Sequence, residues 1–193
     1  MNSKVALFGA VLFGIAAAAP SQAAVSVVQA PTNFFVPTVG QIFDSPYYRG
    51  NGEDWSWTHA AIAAPTTSAT LRVSGYDVDS DDGEVDIIEA FDTSTATWIE
   101  LGSLVGVNDT FSFTDFAVPT SLWDDIGGGL QVRIRIDVTN DDWFVTLAKS
   151  ALCTDGSDCD FNPNPGTVPE PGTLALLGAG LVGLAAVRRR RKV

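Results

Sequence analysis

The sequence predicts an all-β fold: a single antiparallel β-sandwich, jelly-roll-like, flanked by an N-terminal signal helix and a C-terminal transmembrane helix. Three observations carry this. Short stretches of apolar–polar alternation run from about residue 25 to 153, broken by Gly-, Asn- and Asp-rich turns. None of them shows the 3.6-residue period of an amphipathic helix. The long apolar runs lie at the two ends, each beside basic residues. The 193 residues therefore divide into a signal peptide (1–23), a sandwich domain (24–153), a linker (154–167) and a C-terminal region (168–193).

The first segment has a positive start at Lys4, an apolar run from Val5 to Ala19, and then Pro20, Ser21, Gln22 and Ala23. Small residues at Ser21 and Ala23 fit the −3 and −1 positions of a secretory cleavage site, so cleavage is expected after Ala23. Export predicts an oxidising compartment.

Within the body the clearest strand is Leu130–Thr139. There Leu130, Val132, Ile134, Ile136 and Val138 alternate with Gln131, Arg133, Arg135, Asp137 and Thr139. That pattern demands one buried face. Strands are also expected at 55–59, 69–73, 85–91, 97–101, 111–114 and 143–148, with shorter ones at 25–28, 34–36 and 41–43. Residues 49–52, 80–83, 106–109, 127–129 and 140–142 read as turns, and Ser121–Ile126 as one helical turn. Eight to ten short strands without an amphipathic helix give a sandwich. Residues 154–172 are turn-rich and poor in apolar side chains, as a stalk would be.

Charge sharpens the division. The chain carries a net −12, but six of its 11 basic residues sit at the ends. Residues 24–167 hold five basic residues against 22 acidic ones, a formal −17. A nucleic-acid binder needs a basic face, so no nucleic-acid partner is expected. With one His, His59, there is little room for His-based metal or acid–base chemistry.

At the C-terminus, Val168-Pro169-Glu170-Pro171-Gly172 precedes an apolar Leu/Gly/Ala segment from Thr173 to Val187. Arg188, Arg189, Arg190, Arg191 and Lys192 follow. A helix over the 16 residues 172–187 would be about 24 Å long, short for a hydrocarbon core of about 30 Å. It spans a thin or compressed bilayer if the arginines snorkel, and they place the acidic body across the membrane. The three parts in this order resemble the PEP-CTERM sorting signal. The resemblance implies a Gram-negative origin, export through the Sec machinery, and recognition by exosortase, a membrane-embedded cysteine transpeptidase. Processing would fall near Pro169-Glu170-Pro171. An inner-membrane intermediate, held by the C-terminal helix, would then give a cell-surface or extracellular product.

The densest constellation in the body is Asp77-Val-Asp-Ser-Asp-Asp-Gly-Glu-Val-Asp86, with six carboxylates in ten residues. Two readings stand: a solvated acidic hairpin, or a structural Ca²⁺ site built from Asp77, Asp79, Asp81, Glu84 and Asp86, since a hard cation with oxygen ligands relieves such repulsion. An EF-hand is excluded, because the Gly falls at place seven and place twelve is Ile88. Asp77 and Asp79 are expected on one face of a strand end, and Glu84 and Asp86 on one face of the next strand. The surrounding motifs, Tyr-Asp-Val-Asp, Gly-Glu-Val-Asp, Asn-Asp-Thr-Phe-Ser-Phe and Val-Arg-Ile-Arg-Ile-Asp, resemble the β-sandwich bodies of other PEP-CTERM proteins. In outline they also resemble jelly-roll carbohydrate-binding modules. That resemblance, over residues 55–150, implies the fold and a structural calcium.

Cys153 and Cys159, an even count in an exported chain, predict a disulfide that pins the linker to the last strand. Tyr47, Tyr48, Trp55 and Trp57 cluster in sequence and form a candidate sugar-stacking surface, against a core role for at least one of the tryptophans. No Gly-x-Ser-x-Gly elbow exists, and among 22 acids some pair always suits a glycosidase. The expected function is a non-enzymatic surface or extracellular-matrix protein processed by exosortase, carbohydrate-binding within exopolysaccharide or biofilm. The alternative is a polysaccharide-active hydrolase or lyase on the same fold.

Overall fold

Among the described residues nine strands build two antiparallel sheets facing one another. The computed structural model describes residues 24–139, 141–157, 159 and 165. The expected signal peptide and sorting region lie outside these. Among the described residues no helix is long and apolar enough to cross a membrane.

The strands are β1 (Ala24–Gln29), β2 (Arg49–Gly50), β3 (Trp55–Thr58), β4 (Ala69–Tyr76), β5 (Ile87–Asp92), β6 (Thr97–Ser103), β7 (Phe111–Ala117), β8 (Gln131–Arg135) and β9 (Phe144–Thr154). One sheet has the order β1-β9-β4-β7, with β2 also paired to β9. The other has the order β3-β8-β5-β6. Among the described residues one α-helix, α1 (Trp123–Gly128), follows a 3₁₀ turn at Thr120–Leu122, where a helical turn is expected.

The core lies between the sheets. Alternation supplies it from both sides: Leu71 and Val73 on β4, Ile88 and Ala90 on β5, Val132 and Ile134 on β8, and Val145 and Leu147 on β9 are all fully buried. Leu130 and Ile136 extend the β8 face as the pattern predicts, whereas Val138 is 38% exposed. The reason is that β8 ends at Arg135, four residues short of the expected end. The N–H groups of Ile136 and Asp137 go to side-chain carboxylates of Asp54 (2.9 Å) and Asp86 (2.8 Å) rather than to a neighbouring strand. Asp137 itself takes a left-handed φ of 45°.

Two further expectations change. The segments 34–36 and 41–43 are not strands. Phe35 enters the main core while Val36 joins Ile42, Tyr76 and Ala148 in a second apolar cluster. One stretch of chain thus serves two clusters, with Pro31, Pro37 and Pro46 removing ladder donors along it. β9 runs to Thr154 rather than stopping at Ala148. It is paired on both sides, by β1 and by β4, and from Val145 onward it is buried throughout. A strand covered on both faces loses the alternation that marks its extent.

His59 sits in this buried region at 1% exposure. Its Nδ1 lies 3.1 Å from the Ser26 carbonyl and its Nε2 2.9 Å from the Ser150 hydroxyl, so it joins β1 to β9 across the end of β3. Burial lowers its pKa to about 4, against a smaller opposing effect of the Ser26 carbonyl. The expected disulfide is present: Cys153, on β9, is bonded to Cys159, with Cα atoms 5.9 Å apart.

Candidate functional site

The acidic segment leaves β4 at one end of the sandwich. Asp77 adopts a left-handed φ of 63°, which ends the strand and turns Val78 into the core. Val78 fits because two glycines leave room. A Cβ on Gly75 would come within 2.8 Å of Val78 Cγ2, and one on Gly106 within 2.7 Å of Val78 Cβ. A 3₁₀ turn, Ser80–Asp82, carries the chain over the end. Asp77 and Asp79 therefore do not share the face of a strand end, and Glu84 and Asp86 lie before β5 begins at Ile87. The seal of Val78 in the core, which alternation could not register, sets these positions.

The five candidate ligands meet different fates. Asp77 is committed: its carboxylate accepts the Tyr48 hydroxyl at 3.0 Å and the Asp109 N–H at 3.0 Å. Asp81 is exposed on the 3₁₀ turn. Asp79, Glu84 and Asp86 are set apart by unmet oxygens. Asp79 Oδ1, Glu84 Oε1 and Asp86 Oδ2 are buried and accept no backbone N–H or hydroxyl donor. Glu84 is 3% and Asp86 0% exposed. The other oxygens are used: Glu84 Oε2 accepts the Asp79 N–H, and Asp86 Oδ1 accepts the Asp137 N–H.

Electrostatics follow from this geometry. Burial, then the Asp86 charge and the side-chain hydrogen bond between the two carboxyls, pushes Glu84 up to about 9. Burial also raises Asp86, against the Asp137 N–H and the hydrogen bond to Glu84, which favour its charged form. Asp79 is raised by burial and by the Asp77 and Asp82 charges. Without a cation, Glu84 and Asp86 share a proton. Among the described residues no three His, Cys, Asp or Glu side chains are arranged to hold a metal ion as they stand. A Ca²⁺ ion would have to draw Asp79, Glu84 and Asp86 together, and their unmet oxygens are the donor type it takes.

The expected sugar-stacking set separates. Trp55 and Trp57 are 8% and 2% exposed and belong to the core. Their position on β3 turns both rings inward, so neither offers a stacking face. Tyr47 packs against the second apolar cluster. Tyr48 is half-buried, with its ring stacked on Phe144 at 5.1 Å and its hydroxyl pKa raised to about 12 by burial and the Asp77 carboxylate. Sequence reasoning missed Phe43 and Phe144, which are 55% and 41% exposed. The available signal was the placement of Phe144 out of phase with Val145 and Leu147. Elsewhere, a depression of about 230 Å³ is lined by Asp54, Trp55, Ser56, Trp98 and Arg133.

Residues 167–191 match the family model of the PEP-CTERM protein-sorting motif. The match covers the resemblance read from Pro169-Glu170-Pro171 and the arginines, and it is consistent with a PEP-CTERM protein. The motif implies an exported, cell-surface-directed protein processed by exosortase. No curated protein matches the chain.

Proposed function

We propose that the chain is a non-enzymatic surface or extracellular-matrix protein whose jelly-roll body binds extracellular polysaccharide and takes a structural Ca²⁺ at its acidic end. The observation that carries the reading is the sorting motif at residues 167–191, which directs the body outward. The sheet orders support the jelly-roll reading, since successive strands cross between the sheets at every step from β3 to β9 except the β5–β6 hairpin. A Gram-negative source, an inner-membrane intermediate anchored by the C-terminal helix, and a place in biofilm or exopolysaccharide belong to the same reading.

The buried oxygens of Asp79, Glu84 and Asp86 support the calcium. Binding to the native state alone raises stability by mass action. The melting temperature of the processed protein should therefore rise with added Ca²⁺ and fall back in EDTA. A melting temperature indifferent to both leaves the segment an acidic turn.

For the function itself, the processed protein is incubated with a panel of glycans, following retention and chain length together. Retention without cleavage is the expected result. The alternative, a hydrolase or lyase, would have the depression beside Asp54 as its cleft. Cleavage abolished by Asp54→Asn would overturn the binding-only reading.

A further inference from the structure

The outer face of the five-stranded sheet carries a continuous row of five aromatic rings. Phe111 meets Tyr76 edge-on at 4.9 Å, and Tyr76 meets Phe43 at 5.7 Å. Phe43 meets Tyr48 at 5.2 Å, and Tyr48 stacks on Phe144 at 5.1 Å. Sheet register assembles the row. Tyr76 pairs with Phe111 on β7 and with Thr146 on β9, so Phe144, two residues from Thr146, shares its face. The segment 30–48 brings in Phe43 and Tyr48. It is pinned there by the Val36 N–H on the Leu147 carbonyl (2.9 Å) and the Thr146 hydroxyl on the Ile42 carbonyl (2.6 Å).

The row is held in place and is open at Phe43 and Phe144, while Tyr76 is 9% exposed and Tyr48 and Phe111 are half-buried. Both tyrosine hydroxyls are turned to carboxylates, Tyr48 to Asp77 and Tyr76 to Asp109 (3.3 Å), which fixes their rings before any ligand arrives. Phe43 and Phe144, with no polar tip to favour water, stand 55% and 41% exposed. The rim is acidic: Asp44 follows Phe43 in the chain, Asp141 and Asp142 come just before Phe144, and all three are exposed. Among the described residues, arginine guanidinium groups cover Phe34, Trp55, Phe113 and Trp98, which are rings outside this row.

We propose that this row is the polysaccharide-binding surface, and that its ligand is a cationic glycan of amino sugars with free ammonium groups. The proposal rests on the glycan-binding reading above and supplies its place and ligand class. A pyranose presents a C–H face that packs on an aromatic ring, and several rings in a row suit a polymer better than a single sugar. An ammonium group gains further attraction over ring faces. The body decides the sign: 22 acids against five bases in residues 24–167 repel uronic acid polymers and attract ammonium-bearing ones. The same charge disfavours a second copy of the chain as the occupant.

The test uses the processed protein without added Ca²⁺, at mildly acidic pH where the amines are charged. Three probes are compared: soluble glucosamine oligomers, their N-acetylated counterparts and polygalacturonate. The glucosamine oligomers should bind, with N-acetylated oligomers at least about tenfold weaker and polygalacturonate weaker still. The double variant Phe43→Ala/Phe144→Ala removes two exposed rings and should keep the wild-type melting temperature while losing at least about tenfold in affinity. Equal binding of N-acetylated or anionic glycans overturns the ligand class. Unchanged binding by the double variant overturns the placement but leaves the glycan-binding reading standing. A wild-type dimer that the double variant dissolves makes the row a self-association surface and overturns the proposal. If no glycan of any charge binds the wild type, the glycan-binding reading falls with it.

Discussion

Two buried carboxylate regions at the same end of the sandwich behave oppositely. Asp137 is 0% exposed, yet its pKa is lowered. Burial alone would raise it, but its oxygens accept N–H groups from Asp141 (3.0 Å), Asp142 (2.9 Å) and Trp143 (3.3 Å) and the Thr139 hydroxyl (3.2 Å). Glu84 and Asp86 are buried as deeply and are raised. Each has one oxygen with a single N–H donor and one that no N–H or hydroxyl reaches. The difference lies in the supply of donors. A loop that wraps its own N–H groups around a carboxylate keeps it charged. A loop that brings two carboxylates together keeps a proton or calls for a cation.

The comparison can be broken at its donor-rich side first. Asp137→Ala strands three N–H groups and a hydroxyl and also disturbs the end of β8. We expect a loss of about 3 kcal/mol, read by chemical denaturation. A loss under about 0.5 kcal/mol would mean that the loop satisfies its donors with water and that Asp137 does not organise it.

His59 gives the next effect. Its folded pKa of about 4 lies below its unfolded value of 6.5. The unfolded chain therefore binds more protons between those values, and stability rises with pH through that window. The gain is about 3 kcal/mol, complete above the unfolded value and lost as pH falls toward the folded one. His59→Gln should flatten this rise. An unchanged pH profile in the variant would assign the acid sensitivity to other groups.

Glu84 acts with the opposite sign. Its folded pKa of about 9 exceeds its ordinary 4.5, so the native state binds more protons and stability falls as pH rises between them. Glu84→Gln replaces the shared proton by an amide that can donate to Asp86. The variant should gain at least about 1 kcal/mol near pH 8 without Ca²⁺, and it should lose the response to Ca²⁺. A variant less stable than wild type at that pH would mean that the glutamate is already ionised and held by donors.

The extent of sequence legibility follows the same physics. The β8 face could be read because Leu130, Val132, Ile134 and Ile136 obey a period set by one strand's own geometry. The length of β9 could not, because cover on both faces erased its period. The acidic segment announced itself by density, but density did not say which oxygens lack donors. Asp77 and Asp86 look alike in the sequence. The first is satisfied by Tyr48, 29 residues away, and Asp109, 32 residues away, while the second keeps an unmet oxygen. Tryptophan drew attention to Trp55 and Trp57, which the core claimed, while the exposed rings were phenylalanines.

The sequence by itself determined the destination of the protein and its class: the sorting motif, the acidic body, the alternating strands and the paired cysteines are all local signals. Only the tertiary structure decided which carboxylates meet without N–H or hydroxyl donors and which rings stand exposed. Both depend on contacts between residues far apart in the chain, made by sheet register and by the crossing of segment 30–48 over the sheet.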